Sequence, residues 1–163
     1  MKLHDSMRGY FAYHLHEKMK EDKDIYLVCI DLGFGMMDEL IKDFPDRLIV
    51  TPASEQSAVG LSVGLAMEGK KVFVYTITPF FYRAFETIRN YIDHEKIPVC
   101  LVGSGMNKDY ESDGFSHEAS DIYQVMDFFK TITKYYPNEK ESIKSMLDMI
   151  LEKNEPSFIG LRR

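Results

Sequence analysis

Short apolar runs alternate along the chain with segments whose apolar residues recur every three or four positions. The runs are rich in β-branched and aromatic residues and are apolar on both faces, which is typical of parallel strands covered on both sides. Strands that alternate with helices imply right-handed crossovers. The sequence therefore predicts an α/β fold, an open, mostly parallel sheet of about six strands with helices on both faces. The predicted strands are Ile25–Ile30, Leu48–Val50, Val72–Ile77, Val99–Val102, Lys130–Thr133 and Ser157–Leu161.

Four segments are predicted to be helical. Residues 54–68, 80–93 and 139–153 carry apolar side chains at helical spacing, and residues 1–22 form a further, N-terminal helix. The 163 residues correspond to one compact domain. A chain of this size buries roughly 68–70% of its unfolded surface and needs no disulfide bonds to hold a core. We expect a single domain over residues 1–163.

Charge and composition exclude several classes of protein. The formal net charge is −6, which argues against a nucleic-acid-binding protein with a basic face. No run of 18 apolar residues is present, and the charged N-terminal segment lacks the apolar core of a signal peptide. Cys29 and Cys100 both lie in apolar runs, which predicts buried, reduced thiols. We expect a cytoplasmic protein.

Four loops follow predicted strands at their carboxyl ends, where open parallel sheets place their binding sites. They are Asp31–Gly35, Thr51–Glu55, Thr78–Phe80 and Gly103–His117. The last is long for a compact domain, and loops of this length are usually functional or mobile. The chain shows no zinc-ligand spacing, no glycine-rich dinucleotide fingerprint and no phosphate-cradling loop.

The prominent residues of these loops also have ordinary structural explanations. Ser54 or Thr51 can cap the following helix, and Glu55 would then be a first-turn acid favoured by the helix dipole. Phe80 stands at a strand-to-helix junction, where its ring either packs in the core or faces a ligand. His117 closes the long loop and is, by itself, typical of a polar surface residue.

Two glycines four residues apart, Gly60 and Gly64, interrupt the predicted helix at residues 54–68. Glycine inside a helix costs about 1 kcal/mol relative to alanine. Two of them on one face predict the close approach of another element. That element is either part of the same domain or part of a partner subunit.

The stretch Arg47–Pro98 resembles the pyrimidine-binding domain of thiamine diphosphate enzymes, above all that of transketolases and deoxyxylulose-phosphate synthases. The shared features are a Glu-Gln pair after a short strand, a Gly-Leu-Ala-Met-Glu-Gly-Lys-Lys segment, and a strand that ends in Thr-Pro-Phe. Arg-Ala-Phe and Ile-Arg-Asn follow that strand. Farther along, Asp113–His117 resembles the Gly-x-x-His segment of the family, and Pro156–Arg162 resembles its closing strand. The resemblance extends over residues 24–162.

The resemblance implies roles for five residues. Glu55 matches the glutamate that bonds to ring nitrogen N1′ of the aminopyrimidine and promotes proton removal from C2 of the thiazolium. Phe80 matches the ring that packs on the aminopyrimidine, and Arg83 matches a position near the cofactor or substrate. His117 matches a histidine that faces the substrate, where it can bond a donor hydroxyl or a forming alkoxide. Asp31 lies in the opening loop, which approaches the thiazolium side of the cofactor.

The resemblance also implies a partner. Members of the family hold the diphosphate and its Mg²⁺ on a second domain with a Gly-Asp-Gly…Asn motif, and this sequence contains no such motif. We therefore expect a split, transketolase-like enzyme with a separate diphosphate-binding subunit, in an assembly with two copies of each chain. Such an enzyme would transfer a two-carbon ketol unit from a ketose phosphate to an aldehyde, using thiamine diphosphate shared with the partner.

Two alternatives remain open at this point. Thr51-Pro52-x-x-Glu55 departs from the commoner transketolase Gly-x-x-Glu and resembles the beta subunit of pyruvate dehydrogenase-type enzymes. This departure leaves the subfamily open. A pyrimidine-binding subunit of a two-chain 2-oxoacid decarboxylase, of the sulfopyruvate or phosphonopyruvate type, is one alternative, because the resemblance extends to enzymes that are also built from a short pyrimidine chain and a diphosphate chain. A non-catalytic subunit with a relic fold is the other, and the joint presence of Glu55, Phe80 and His117 argues against it.

Overall fold

Six parallel strands form the centre of the molecule. A computed structural model describes all residues, 1–163, and every strand pair in its sheet is parallel. The strand order is β2-β1-β3-β4-β6-β5, so the two long, buried strands β3 and β4 lie side by side in the interior. The predicted fold class is confirmed. The strands are β1 Ile25–Ile30, β2 Leu48–Thr51, β3 Lys71–Ile77, β4 Val99–Ser104, β5 Thr133–Tyr135 and β6 Ser157–Leu161.

Helices cover both faces of this sheet, and each face has its own apolar core. Helices α1, α2 and α6 pack on one face, and α3, α5 and the segment after β3 pack on the other. The helices are α1 Met7–Glu21, α2 Asp38–Asp43, α3 Glu55–Met67, α4 Phe85–Thr87, α5 Ile122–Phe128 and α6 Ile143–Lys153. Short 3-10 turns add Glu111–Asp113, Phe115–His117 and Lys140–Ser142.

The first helix is shorter than predicted. It begins at Met7, because Ser6 is extended and its hydroxyl accepts a hydrogen bond from the backbone N–H of Gly9 at 3.1 Å. Such a side-chain cap satisfies a donor that the first turn of a helix leaves free. Helix α2 was not predicted, because six residues are too few to show a helical period.

The segment after β3 is a helix of mixed type rather than the regular helix predicted at residues 80–93. It begins as a 3-10 helix over Thr78–Ala84, passes through α4, and continues as a π-helix over Ile88–His94. Proline at the second position suits a helix start. π-Helical turns are rare and occur frequently at functional sites.

The fifth strand lies farther along the chain than predicted. It occupies Thr133–Tyr135 instead of residues 130–133. Thr131 is held outside the sheet, because its backbone N–H donates to Oδ1 of Asp93 at 2.7 Å and its hydroxyl also bonds to that residue. This contact joins the end of the π-helix to the start of the strand, and local sequence cannot show it.

Both cysteines are buried and unpaired, as predicted. Burial raises the pKa of the Cys29 thiol and of the Cys100 thiol to about 12. Both thiols therefore stay protonated near neutral pH and act as small apolar side chains.

None of the helices has both the length and the apolar character needed to cross a membrane.

Candidate functional site

Glu55 is a buried carboxylate at the start of a helix. Strand β2 ends at Thr51, and α3 begins at Glu55 itself, whose side chain is only 3% exposed. The predicted helix cap is absent: the Ser54 hydroxyl donates to the carbonyl of Pro52 at 3.1 Å and makes no capping bond. A buried carboxylate must be paired or hydrogen-bonded to be stable.

Arg83 supplies that partner. Its Nη1 donates to Oε1 of Glu55 at 2.7 Å, although the arginine side chain itself is 53% exposed. The other carboxylate oxygen of Glu55, Oε2, accepts no hydrogen bond from the chain. The guanidinium of Arg83 also lies over the ring of Phe80, with its central carbon 4.1 Å from the ring centroid. Arg83 therefore connects the carboxylate to the aromatic ring.

Phe80 in turn contacts His117. Their ring centroids are 5.0 Å apart at an interplanar angle of 65°, an edge-to-face arrangement. Nδ1 of His117 lies 3.0 Å from the hydroxyl of Ser116. The four residues Glu55, Arg83, Phe80 and His117 thus form a continuous set of contacts, which we call the Glu55 cluster. A cavity of about 280 Å³ beside it is lined by Pro79, Phe80, Tyr82, Arg83, Phe115, Ser116, Glu118 and Asp121.

The topology explains why these residues meet. Glu55 follows β2, Phe80 and Arg83 follow β3, and His117 closes the loop after β4. The carboxyl ends of parallel strands lie at one edge of the sheet, so side chains that follow them converge there. The loop that carries His117 is anchored at its base by an antiparallel bridge between Asn107 and Ala119.

Asp31 makes no contact with the Glu55 cluster. It directly follows β1, is exposed, and has a positive φ of 42°. Its backbone N–H donates to the carbonyl of Thr51 at 2.9 Å, but its carboxylate has neither a hydrogen bond nor an ion pair. The structure therefore brings four of the five predicted site residues into contact and leaves Asp31 in a separate loop at the same edge.

A second polar cluster lies at this edge on the α1 face of the sheet, and no motif in the sequence indicates it. Nη1 of Arg8 donates to the hydroxyl of Tyr110 at 2.9 Å, and that hydroxyl lies 3.0 Å from Oγ of Ser104. Tyr75 completes this Tyr110 cluster. A cavity of about 270 Å³ beside it is lined by Arg8, Leu32, Gly33, Phe34, Met36 and Tyr75.

Two buried polar atoms of the Tyr110 cluster have no partner. They are the Tyr75 hydroxyl and Nε of Arg8. Tyr75 is fully buried, and burial raises the pKa of its hydroxyl. Ser104 lies close enough to influence that pKa, yet no hydrogen bond of acceptable geometry joins the two hydroxyls. Unpaired buried polar atoms are uncommon in proteins and need a specific explanation.

The outer face of α3 is free of contacts within the chain. A Cβ atom built on Gly60 or Gly64 would meet no atom within 4 Å. Close packing inside the domain, one of the two explanations that the sequence left open for these glycines, is therefore wrong. The side chains of Leu61 and Met67 on the same helix are exposed.

Comparison with known proteins identifies the family. A family model described as the transketolase pyrimidine binding domain matches residues 5–163. The chain belongs to this family. The resemblance inferred from Arg47–Pro98 is thereby confirmed, and the family is thiamine diphosphate-dependent. The matched residues include the whole Glu55 cluster, which therefore lies in a pyrimidine-binding domain.

Several relatives of this pyrimidine-binding domain are parts of divided enzymes. A putative transketolase C-terminal section from Methanocaldococcus jannaschii is 26% identical over 163 residues, which are 99% of this chain and 52% of that protein. One of the subunits of an apulose-4-phosphate transketolase from Phocaeicola vulgatus is 27% identical over 158 residues, which are 96% of this chain and 51% of that protein. The pyrimidine-binding domain described here spans about half the length of these curated relatives.

Solved structures agree with the family assignment. A structure described as a split gene transketolase, an inactive beta4 tetramer, superposes with a TM-score of 0.85 at 26% identity, covering 97% of this chain and 52% of that one. The transketolase of Campylobacter jejuni superposes with a TM-score of 0.86 over 96% of this chain and 25% of its own. At 16% identity this second likeness supports the fold alone.

Proposed function

We propose that this chain is the pyrimidine-binding subunit of a split, transketolase-like enzyme. The enzyme would transfer a two-carbon ketol unit from a ketose phosphate to an aldehyde, with thiamine diphosphate shared between this chain and a partner chain. The observation that carries the proposal is the Glu55 cluster, in which a buried carboxylate, a phenyl ring and an imidazole follow three strands at the same edge of the sheet.

The donor set of the Glu55 cluster fits an aminopyrimidine. Oε2 of Glu55 is an acceptor that no group of the chain uses, in a side chain that is almost fully buried. A protonated or donating ring nitrogen is the natural partner for such an oxygen, and the ring of Phe80 offers a face for stacking. The bound cofactor would supply the carbanion chemistry, and the chain positions and tunes it.

Glu55 is the group that we assign to proton transfer. Its position away from solvent protects a proton held between the carboxylate and a bound base from exchange with bulk water. The first turn of α3 adds the positive end of the helix dipole, which stabilises the carboxylate whenever that proton has left.

His117 is the group that we assign to the substrate. Its imidazole contacts Phe80 in an edge-to-face arrangement and therefore lies beside the ring that we assign to stacking. A hydrogen bond from such a group to a donor hydroxyl or to a forming alkoxide strengthens as charge develops on the oxygen. Asp31, in its loop at the same edge, remains assigned to the thiazolium side of the cofactor.

The positively charged side chains of the Tyr110 cluster favour a substrate that carries a phosphate group. Arg8 lines a cavity at the same edge of the sheet as the Glu55 cluster, and its Nε has no partner in the chain. The guanidinium of Arg163 lies 4.8 Å from the centroid of the Tyr110 ring and adds a second positive charge. An arginine guanidinium can donate two parallel hydrogen bonds to one phosphate group. We therefore assign the phosphate of the ketose to this cluster.

A separate chain completes the enzyme in this proposal. The described residues contain no group of three or more His, Cys, Asp and Glu side chains arranged to hold a metal ion. We assign the diphosphate and Mg²⁺ to a diphosphate-binding subunit and expect two copies of each chain. The exposed face of α3, with Gly60 and Gly64, is suited to a subunit contact.

Reconstitution tests the proposal. This chain would be mixed with a chain from the same genome that carries a Gly-Asp-Gly…Asn motif, together with thiamine diphosphate, Mg²⁺, a ketose phosphate and an aldose phosphate. We expect a new ketose phosphate, which is detected by mass spectrometry and forms only when both chains are present. Release of CO₂ from a 2-oxoacid without ketol transfer would favour the decarboxylase alternative. No turnover of either substrate class, with both chains folded and associated, would favour the relic alternative.

A further inference from the structure

Arg83 makes contact with both groups that the proposed function assigns to the pyrimidine ring. Its Nη1 donates to Oε1 of Glu55 at 2.7 Å, and its guanidinium lies 4.1 Å above the ring of Phe80. No other side chain of the molecule contacts both of these residues through a hydrogen bond or a ring interaction. Oε2 of Glu55 is free, but a ring that bonds to Glu55 and stacks on this face of Phe80 must take the place of the guanidinium.

The guanidinium group has the same recognition chemistry as an aminopyrimidine. It is planar, it presents N–H donors in its plane to a carboxylate, and it stacks on an aromatic face. The exocyclic amino group of a neutral aminopyrimidine donates to a carboxylate while its ring stacks on a phenyl face, so such a ligand satisfies the same two partners. The two planar groups cannot occupy the same face of Phe80 at once, because each fills the thickness of one aromatic layer.

We infer that Arg83 is an internal competitor of the pyrimidine ring, which must displace the guanidinium from Glu55 and Phe80 in order to bind. This inference rests on the proposed function, because it takes the pyrimidine to bind at these two residues. Displacement exchanges one partner of Glu55 for another, so the buried carboxylate is paired both before and after binding.

The geometry of Arg83 allows this exchange at a small cost in free energy. The arginine side chain is half exposed, so water can solvate the guanidinium as it leaves. The pyrimidine replaces the guanidinium as the partner of Glu55, so the buried carboxylate is not left unpaired, and cation–π contacts at exposed sites contribute little net stability. Pro79 and the buried Phe81 belong to the same 3-10 segment and keep its backbone in place while the side chain moves.

The apparent affinity for the pyrimidine equals the intrinsic affinity multiplied by the fraction of free molecules in which the guanidinium has left Glu55 and Phe80. If that fraction is about one in ten, removal of the guanidinium tightens pyrimidine binding roughly tenfold. A residue that merely holds Glu55 in position would have the opposite effect, because its loss would weaken binding. The sign of the change in affinity therefore decides between the two roles.

Binding of a neutral pyrimidine to the full chain tests the inference. The probe is the hydroxymethyl derivative of the cofactor's aminopyrimidine ring, titrated at mildly alkaline pH and followed by NMR chemical shifts or calorimetry. We expect Arg83→Met to bind the probe roughly tenfold more tightly than the wild type. Arg89→Met is the matched control, since Arg89 is exposed and its only hydrogen bond is to Asn90 at 2.8 Å. That control should leave the affinity unchanged.

Salt gives a second readout. Added salt screens the ion pair between Arg83 and Glu55, so it should strengthen probe binding by the wild type and leave Arg83→Met unaffected. Arg83→Gln serves as a second variant if Arg83→Met proves unstable in a thermal melt. Equal or weaker binding by a folded Arg83 variant overturns the inference.

Glu55→Gln separates this inference from the proposed function. If Glu55→Gln weakens probe binding but the Arg83 variants do not tighten it, the pyrimidine site stands and only the competition is wrong. If the wild type and Glu55→Gln bind the probe equally, the pyrimidine does not use Glu55 and the proposed function fails with the inference.

Discussion

The two polar clusters at the carboxyl edge of the sheet satisfy their buried polar groups in different ways. In the Glu55 cluster the buried carboxylate is paired with Arg83. In the Tyr110 cluster the Tyr75 hydroxyl and Nε of Arg8 are buried without partners, beside a hydroxyl of Tyr110 that is bonded to Arg8. The Glu55 cluster thus gives its buried charged group a partner within the chain. The Tyr110 cluster leaves buried polar atoms without a partner next to a cavity.

The difference suits the two tasks that we assign to the clusters. Arg83 keeps the buried carboxylate of Glu55 paired until the pyrimidine takes over as its partner for proton transfer. Recognition of a substrate group gains most from protein donors that have no competing partner, because binding then satisfies them. This division predicts effects of different kind and size for variants of the two clusters.

Glu55→Gln should lower kcat of the reconstituted enzyme roughly 100-fold to 10,000-fold, because an amide cannot exchange a proton with the bound base. The measurement is steady-state turnover at saturating cofactor and substrates. Glu68→Gln, at the exposed far end of the same helix, is the matched control and should retain full activity. Equal turnover of the two variants would show that Glu55 is not the proton-transfer group.

His117→Ala should lower kcat/KM for the donor on the order of 100-fold, the usual effect of removing one group that stabilises a developing oxyanion. Pyrimidine binding should change little, since His117 has no hydrogen bond to Glu55 and meets Phe80 only in an edge-to-face contact. His94→Ala, on an exposed histidine, is the control. An unchanged kcat/KM with His117→Ala removes the assignment of this residue to the substrate.

The sequence predicted the Glu55 cluster far better than the Tyr110 cluster. Glu55, Phe80 and His117 each follow a strand within a recognisable motif, so their convergence follows from the parallel topology. Their contacts were less predictable: the pairing of Glu55 with Arg83 depends on a 3-10 turn that the helical period does not show.

The Tyr110 cluster depends on tertiary packing alone. Arg8 reaches the carboxyl edge because α1 lies across the sheet in one direction, and nothing in the sequence of that helix specifies the direction. The same reason accounts for the misplaced fifth strand, whose start is set by the contact between Thr131 and Asp93. The strands themselves were predicted well, because an apolar run between turns is a local signal.

Arg8→Ala should raise KM for a ketose phosphate roughly tenfold, since a charged hydrogen bond to the phosphate would be lost. The control is a change of substrate: KM for the unphosphorylated ketose of the same length should not move. This selectivity distinguishes loss of a phosphate contact from a general disturbance of the Tyr110 cluster. An equal rise in KM for both ketoses would contradict the assignment of Arg8 to the phosphate.

The smallest expected effect is on stability, and it tests whether the polar atoms of the Tyr110 cluster are satisfied as unequally as the structure indicates. Tyr75→Phe should raise the free energy of unfolding by about 1 kcal/mol, because it removes a buried hydroxyl that has no partner. Tyr110→Phe is the matched variant and should lower that free energy by about 1–2 kcal/mol, because it breaks contacts with Arg8 and Ser104.

Urea unfolding of the isolated chain measures both changes in free energy, which should have opposite signs. The dependence of the unfolding free energy on urea concentration should be the same for both variants. In a chain of this size about 1 kcal/mol corresponds to a change in Tm of roughly 2–4 °C, which a thermal melt resolves. If Tyr75→Phe proves as destabilising as Tyr110→Phe, the Tyr75 hydroxyl is bonded in solution, with Ser104 as the nearest candidate. Nε of Arg8 would then be the one buried polar atom of the Tyr110 cluster without a partner, and the contrast with the Glu55 cluster would rest on that atom alone.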